Sequence, residues 1–147
     1  DKYNQLAIGK IAPDIAMPNM EGKSVSLSSI EAPYKLVLFL ASWCPHCMEI
    51  LPKLASWYSD QNSQGVEIYS VSLDFNKEEL ESALIEQPIP WKVVSDYKGW
   101  ESSAAIDYNV YATPTMFLLD ADNKILAKPI TYNELMSSVE KLFYTSE

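Results

Sequence analysis

Two cysteines, Cys44 and Cys47, are the residues of this chain whose type and spacing suit redox chemistry. On a helix, a spacing of three positions places both side chains on one face and within range of a reversible disulfide. Pro45 fits the first position of such a helix, so Cys44 would cap its N-terminus. The free N–H groups and partial positive charge there favour a thiolate over a thiol. We therefore expect Cys44 to be the exposed, reactive sulfur and Cys47 to be buried.

The composition of the chain limits the roles that the cysteine pair can have. A protonated His46 beside Cys44 would stabilise the thiolate further. The chain has one histidine and no cysteine besides the pair, so four protein ligands of the usual types for structural zinc are not present. A disulfide that closes so short a loop restrains the unfolded chain little, which disfavours a purely structural bridge. The pattern therefore favours a redox-active pair, and we expect no cofactor and no resident metal.

The segments on either side of the pair predict a buried strand that runs into a helix. Residues 35–40 form a short apolar run, which is typical of a strand covered on both faces. Leu51, Leu54 and Tyr58 continue at helical spacing from Cys47 and predict the inward face of that helix.

The remaining pattern predicts an α/β fold with a mixed sheet. Residues 6–27 read as a strand pair with a turn at 19–22, and residues 66–74 as a half-buried strand. Asn76 with Glu79 and Thr131 with Glu134 resemble capping boxes that open two helices. Further segments predict a short strand (91–94), a helix (100–108, with Ala104 and Ala105 inward) and a hairpin (115–119 with 124–127). Strands that alternate with helices indicate α/β, and the late hairpin makes the sheet mixed.

Length and charge set limits on the partners. With 147 residues, the chain fits a single domain over residues 1–147. Its formal net charge of −9 disfavours nucleic acid and anionic membranes as partners. We see no apolar run long enough to span a bilayer, and the start at Asp1 suggests a trimmed chain, so a tether could have been lost from the N-terminus.

Several motifs resemble the thioredoxin superfamily. These are Trp43-Cys44-Pro45-His46-Cys47 after a buried strand, Pro52 in the helix, and Ala112-Thr113-Pro114-Thr115 before the late hairpin. The leading residues 9–14 and 22–27, with an inserted helix and strand before Pro114, are similar to TlpA/ResA-like thiol-disulfide oxidoreductases. The resemblance covers nearly the whole chain and implies a thioredoxin fold, with a central mixed sheet flanked by helices and an N-terminal β-hairpin.

The resemblance also implies roles for individual residues. Cys44 would attack a disulfide, Cys47 would resolve the mixed disulfide, and Pro114 would be a cis-proline beside the pair. Thr113 would present backbone groups to a substrate chain. Trp43, Pro45 and His46 would support the site. We expect a monomeric, extracytoplasmic enzyme that exchanges disulfides with protein thiols and receives electrons from an upstream thiol donor.

Three departures from the family pattern bear on mechanism. Leu38 stands where thioredoxin has a buried acid, so the usual proton acceptor for the resolving thiol is absent. Ile50 stands where ResA-like proteins have a functional glutamate, with Glu49 beside it, and we assign Glu49 no catalytic role. Pro45-His46 resembles the dipeptide of the oxidant DsbA, which leaves the direction of electron flow open between reductase and oxidase or isomerase.

Two other functions occur on related folds. A peroxiredoxin would carry a threonine-bearing approach to a single peroxidatic cysteine, whereas Ala41-Ser42-Trp43 precedes Cys44 as in thioredoxins. A copper-delivery protein would use a wider cysteine spacing and a distant histidine, and the single histidine here lies inside the motif. Thiol metal binding without catalysis remains the alternative to an enzyme, and metal titration of the reduced protein would separate the two.

Overall fold

A five-stranded mixed β-sheet forms the centre of the structure. The computed structural model describes residues 2–61 and 65–145. In spatial order the strands are β5 (Lys92–Val94), β4 (Val66–Ser72), β3 (Tyr34–Leu40), β6 (Thr115–Asp120) and β7 (Ile125–Ala127). β3 runs parallel to β4 and antiparallel to β6, so the predicted mixed sheet is confirmed.

Five α-helices and a separate hairpin surround this sheet within the described residues. The helices are α1 (Lys2–Gln5), α2 (Pro45–Gln61), α3 (Lys77–Glu86), α4 (Ser103–Asp107) and α5 (Tyr132–Thr145). The hairpin pairs β1 (Ala16–Pro18) with β2 (Ser24–Ser26) in antiparallel register, as the sequence predicts. The inserted helix and strand predicted before Pro114 correspond to α3 and β5. Asp1, on which the expectation of trimming rests, lies outside the described residues.

The central strand β3 is buried along almost its whole length. The apolar run 36–40 is covered on both faces, which explains why it lacks any alternation with polar residues. Lys35 is a charged residue that is also buried in this strand, and its Nζ donates a hydrogen bond to Asn123 Oδ1 over 2.8 Å. Desolvation lowers the pKa of Lys35 against the attraction of nearby carboxylates, of which Asp14 contributes most.

The neighbouring strand β4 is more deeply buried than its sequence predicts. The alternation of Ser70 and Ser72 with apolar residues indicates one solvent-facing side, yet both serines are fully buried. The prediction of a half-buried strand is wrong because β4 lies inside the sheet, between β3 and β5, with both faces covered. Ser70 is satisfied there, since its hydroxyl accepts a hydrogen bond from Trp91 Nε1.

Both predicted helix starts are confirmed, and in each the side chain of the cap residue accepts a hydrogen bond from the amide three residues later. Asn76 Oδ1 accepts from Glu79 N over 2.9 Å, and Thr131 Oγ1 accepts from Glu134 N over 3.1 Å. The Glu134 carboxylate, however, accepts from the amide of Ile130 rather than from that of Thr131. Each helix start is therefore fixed by its cap residue.

The helix predicted at residues 100–108 is divided into two shorter pieces. A 3₁₀ turn at Gly99–Glu101 precedes α4, and Ser102 between them has extended backbone angles that end the first piece. Ala104 and Ala105 face the core, as predicted. The division places Trp100 on a turn rather than inside a helix.

Leu38 lies at the middle of β3 with no exposed surface, so a charge introduced there would be costly. We predict that Leu38→Asp lowers the free energy of unfolding by several kcal/mol at neutral pH, because a carboxylate would lose its hydration. Burial raises the pKa of the new carboxyl above its unfolded value, so the loss should shrink as the pH falls toward about 4. Urea denaturation at both pH values measures this.

Ile85→Asp provides the control, because Ile85 is 79% exposed on α3 and the same charge is added in water. We expect a change there below about 1 kcal/mol. A Leu38→Asp variant as stable as the parent at neutral pH would show that the interior around Leu38 is already polar.

Candidate active site

A tight turn connects the end of β3 to the start of α2 and carries Cys44. The turn spans residues 41–44 and is closed by a hydrogen bond from Cys44 N to Ala41 O of 3.2 Å. Pro45 then begins the helix, as the sequence predicts. The amide of Cys47 donates to Cys44 Sγ over 3.2 Å. An N–H group of the first helical turn therefore points at the sulfur, which is the arrangement that stabilises a thiolate.

Both cysteines carry free thiols and both are buried. Cys44 is 5% exposed and Cys47 is 0% exposed. The prediction of an exposed Cys44 is therefore wrong, although the predicted order of exposure is correct. Cys44 is covered because its sulfur lies against the segment before β6, where it contacts Thr113 O at 3.4 Å.

The second cysteine is held as a neutral thiol. Burial raises the pKa of Cys47 to about 12, and a hydrogen bond with the Cys44 side chain acts in the same direction. Hydrogen bonds with the Ala41 backbone and with Thr113 lower it, but they are smaller effects. At neutral pH the two sulfurs therefore differ in character, and the one at the helix cap is the more accessible nucleophile.

The peptide bond between Thr113 and Pro114 is cis, which confirms the prediction. The segment reaches the cysteines because β6 pairs antiparallel with β3, so that Thr115 lies opposite Phe39 near the end of β3. Register in the sheet thus brings the start of β6 beside the turn that carries Cys44.

Trp43 lines the site together with a residue that the sequence analysis did not connect to it. The Trp43 side chain is 40% exposed, and its ring centroid lies 5.5 Å from that of Trp100. Trp100 is positioned by the turn at Gly99, whose φ of 58° favours glycine. A Cβ atom at Gly99 would come within 2.2 Å of the Phe75 ring. No sequence spacing links Trp43 to Trp100, so this pair required the tertiary structure.

The His46 side chain lies in solvent beside Glu49. It is 81% exposed, and its Nδ1 lies 3.7 Å from Glu49 Oε2 one turn along α2. The supporting role of His46 stays a prediction, and an exposed imidazole would act on Cys44 through its charge. Its neighbour Pro45 is also exposed, at the first position of the helix.

A buried carboxylate near the turn was missed by the sequence analysis. Leu38 is apolar and buried, as expected, but Asp74 is also fully buried and accepts hydrogen bonds from the amide and hydroxyl of Ser42. Asp74 follows β4, which is parallel to β3, so both strands end at the same edge of the sheet. The sequence signal for Asp74 is an acid at the end of the predicted strand 66–74, but its place beside the turn depends on the strand order, which the sequence analysis did not predict.

Within residues 2–61 and 65–145, no group of three or more histidine, cysteine, aspartate or glutamate side chains is arranged to hold a metal ion. No helix among the same residues is both long and apolar enough to cross a membrane.

A cysteine pair at a helix cap, beside a cis-proline on a mixed sheet of this order, defines a thioredoxin-fold protein. Comparison with known proteins agrees. The family model described as "AhpC/TSA family" matches residues 8–128. The chain belongs to this family.

Relatives in the same class carry oxidoreductase names. The thiol-disulfide oxidoreductase ResA of Bacillus cereus is 27% identical over 94% of this chain and 80% of its own length. The thioredoxin domain of a thiol-disulfide oxidoreductase from Bacteroides vulgatus is 32% identical, covers 93% of this chain and 98% of its own, and superposes with a TM-score of 0.84. A thiol-disulfide oxidoreductase from Bacteroides fragilis is 31% identical, with coverages of 90% and 99% and a TM-score of 0.82. This chain is an oxidoreductase enzyme of the thiol-disulfide type.

The difference between the two sulfurs predicts selective alkylation. Iodoacetamide at about pH 6 should modify Cys44 well before Cys47, because Cys47 is fully buried and burial raises its pKa to about 12. Peptide mapping by mass spectrometry measures both rates in the reduced protein. In denaturant the two rates should become similar, which provides the control, and faster labelling of Cys47 in the folded protein would contradict the assignment.

Proposed function

We propose that this enzyme exchanges disulfides with protein substrates through the Cys44/Cys47 pair of its Cys-Pro-His-Cys motif. The observation that carries the proposal is the unequal setting of the two sulfurs. Cys44 Sγ accepts an amide hydrogen bond at the start of α2, whereas Cys47 is buried with a raised pKa. A nucleophile at a helix cap and a protonated resolving thiol behind it are the two parts that thiol-disulfide exchange requires.

In the reducing direction, the Cys44 thiolate attacks one sulfur of a substrate disulfide. The substrate S–S bond breaks as the Cys44–substrate bond forms, and the other substrate sulfur leaves as a thiolate. Cys47 then loses its proton and attacks Cys44 Sγ, which releases the second substrate sulfur. The enzyme pair ends oxidised by two electrons and the substrate disulfide ends reduced by two.

The proton of Cys47 needs an acceptor because Leu38 supplies none. The thiolate released by the substrate in the first step is a base generated inside the complex, and it can take this proton before it leaves. Cys47 would thus become nucleophilic only once a mixed disulfide exists, which prevents premature ionisation of a buried sulfur.

The cis-proline segment would hold the substrate chain. Thr113 O lies 3.4 Å from Cys44 Sγ, so its backbone is next to the point of attack. A substrate segment in extended conformation could pair with the backbone at Thr113 while Trp43, which is partly exposed, covers its flank. Pro114 keeps that backbone turned toward the sulfur.

Further features of the function follow from the family resemblance. We propose an extracytoplasmic location, an upstream thiol donor of electrons and a monomeric domain that spans residues 1–147. The relatives named thiol-disulfide oxidoreductase ResA support this type of activity without fixing the substrate.

Reduction of insulin disulfides tests the roles of the two cysteines. The parent should reduce insulin in the presence of a thiol donor, and Cys44→Ser should abolish this because no attacking sulfur remains. Cys47→Ser should instead accumulate a mixed disulfide on Cys44 that non-reducing electrophoresis detects. The double variant controls for other routes of reduction, and full activity of Cys44→Ser would refute the proposal.

The redox potential tests how the motif tunes the pair. We expect a value between about −270 mV for thioredoxin and about −120 mV for DsbA, because stabilisation of the Cys44 thiolate stabilises the reduced form. His46→Pro should make the value more negative, whereas Glu49→Gln should make it less negative, because it removes a negative charge near the start of α2 that opposes the thiolate. Equilibration with glutathione measures all three proteins.

These two variants form a matched pair, since both side chains are exposed on the same turn of α2. A parent potential at or below that of thioredoxin, unmoved by either substitution, would show that His46 does not tune this site.

A further inference from the structure

Asp74 is a fully buried acid that takes part in no step of the proposed disulfide exchange. Its hydrogen bonds all come from neutral donors. Ser42 N donates over 3.0 Å to Oδ1 and 3.3 Å to Oδ2, the Ser42 hydroxyl donates to Oδ2, and the Ser72 hydroxyl donates to Oδ1 over 2.7 Å. A buried carboxylate is costly unless such bonds compensate it, so its presence requires a reason.

The position of Ser42 supplies that reason. Ser42 is the second residue of the turn 41–44, whose first residue accepts a hydrogen bond from the amide of Cys44. Asp74 thus fixes the turn as well, because its carboxylate accepts hydrogen bonds from both the amide and the hydroxyl of Ser42. The Cys44 sulfur lies two residues further on, where it must meet the amide of Cys47.

From this geometry we infer that Asp74 is a positioning residue, which acts through Ser42 to hold Cys44 in its reactive orientation. The inference rests on the proposed role of Cys44 as the attacking sulfur. The hydrogen bonds of the Asp74 carboxylate go to Ser42 and Ser72 and not to either sulfur.

The acid is needed because all the groups that face it are donors. A carboxylate presents acceptors on both oxygens, whereas an asparagine presents one oxygen and one NH₂ group. The serine hydroxyls can rotate to accept from an NH₂ group, but the Ser42 N–H contacts both oxygens, so in Asp74→Asn one of its two contacts becomes a contact between two donors. The hold on the turn through the Ser42 amide would then weaken.

The chain contains a matched control for this arrangement. Asp14 accepts from the amide of Ser28 over 2.9 Å and from its hydroxyl over 2.8 Å, which is the same pair of bonds. Asp14 interacts electrostatically with Lys35 near the start of β3, whereas the turn follows the end of that strand, about 17 Å away along it. Asp14 is exposed, so Asp14→Asn and Ser28→Ala remove the same pair of bonds from a solvent-facing acid at a distance from the cysteines.

The test compares Asp74→Asn, Ser42→Ala and Ser42→Thr with these controls in the full chain. The first readout is the rate of Cys44 alkylation by iodoacetamide at mildly acidic pH, and the second is the equilibrium with glutathione. We expect Asp74→Asn to slow alkylation by about tenfold, the effect of losing a hydrogen bond to a charged group, and to shift the equilibrium in the oxidised direction. Both changes are opposite to what the loss of a nearby negative charge alone would cause, because that loss favours the thiolate.

Ser42→Ala should slow alkylation less, because it keeps the amide bond to Asp74, and Ser42→Thr should restore the parent rate by returning a hydroxyl. Asp14→Asn and Ser28→Ala should lower thermal stability without changing either readout. If Asp74→Asn and Ser42→Ala lose stability while both readouts match the parent, the residue is structural and the inference is wrong. If Asp74→Asn fails to fold, the comparison of Ser42→Ala with Ser42→Thr tests the inference, because equal alkylation rates in the two variants would contradict it.

Alkylation involves no protein substrate, so this experiment is independent of the proposed function. A parent that does not reduce insulin would overturn disulfide exchange and leave the positioning of Cys44 open to the same measurement.

Discussion

The register of β3 with its two neighbours is the constraint on which the site depends. Leu40 lies opposite Ser72 of β4, and Phe39 lies opposite Thr115 of β6. Because β4 is parallel and β6 antiparallel, the end of β3 meets the end of one strand and the start of the other. A slip of one residue would turn every side chain of this doubly buried strand to the opposite face, so the close packing of the core has to hold the alignment of the site.

Three segments that are distant in sequence meet at that edge, and each controls a different property of the sulfurs. The turn 41–44 delivers Cys44 to the helix N-terminus, Thr113 places a backbone carbonyl against it, and Asp74 fixes the turn from behind. Cys47 belongs to the core rather than to this edge, and its burial keeps it protonated. The two cysteines thus differ chemically because Cys44 lies at the helix cap and Cys47 lies in the core.

Features governed by local pattern were predictable from the sequence. The buried strand, Pro45 at the start of α2, the caps at Asn76 and Thr131, and the late hairpin all depend on residues within a few positions of one another. Features that depend on neighbours in space were not. The pairing of Trp43 with Trp100, the full burial of β4 and the covered position of Cys44 each result from a segment that folds back from elsewhere in the chain.

The apolar residue at position 38 and the buried acid at position 74 can be considered together. Position 38 is fully buried in the middle of β3, whereas Asp74 follows the adjacent strand and contacts the turn. Burial dominates the raised pKa of Cys47. Asp74 anchors the turn, since both of its oxygens accept hydrogen bonds from the backbone and from two serines. In the proposed exchange reaction, proton transfer from Cys47 relies on the thiolate that the substrate releases, whereas the turn that carries Cys44 is already held in the free protein.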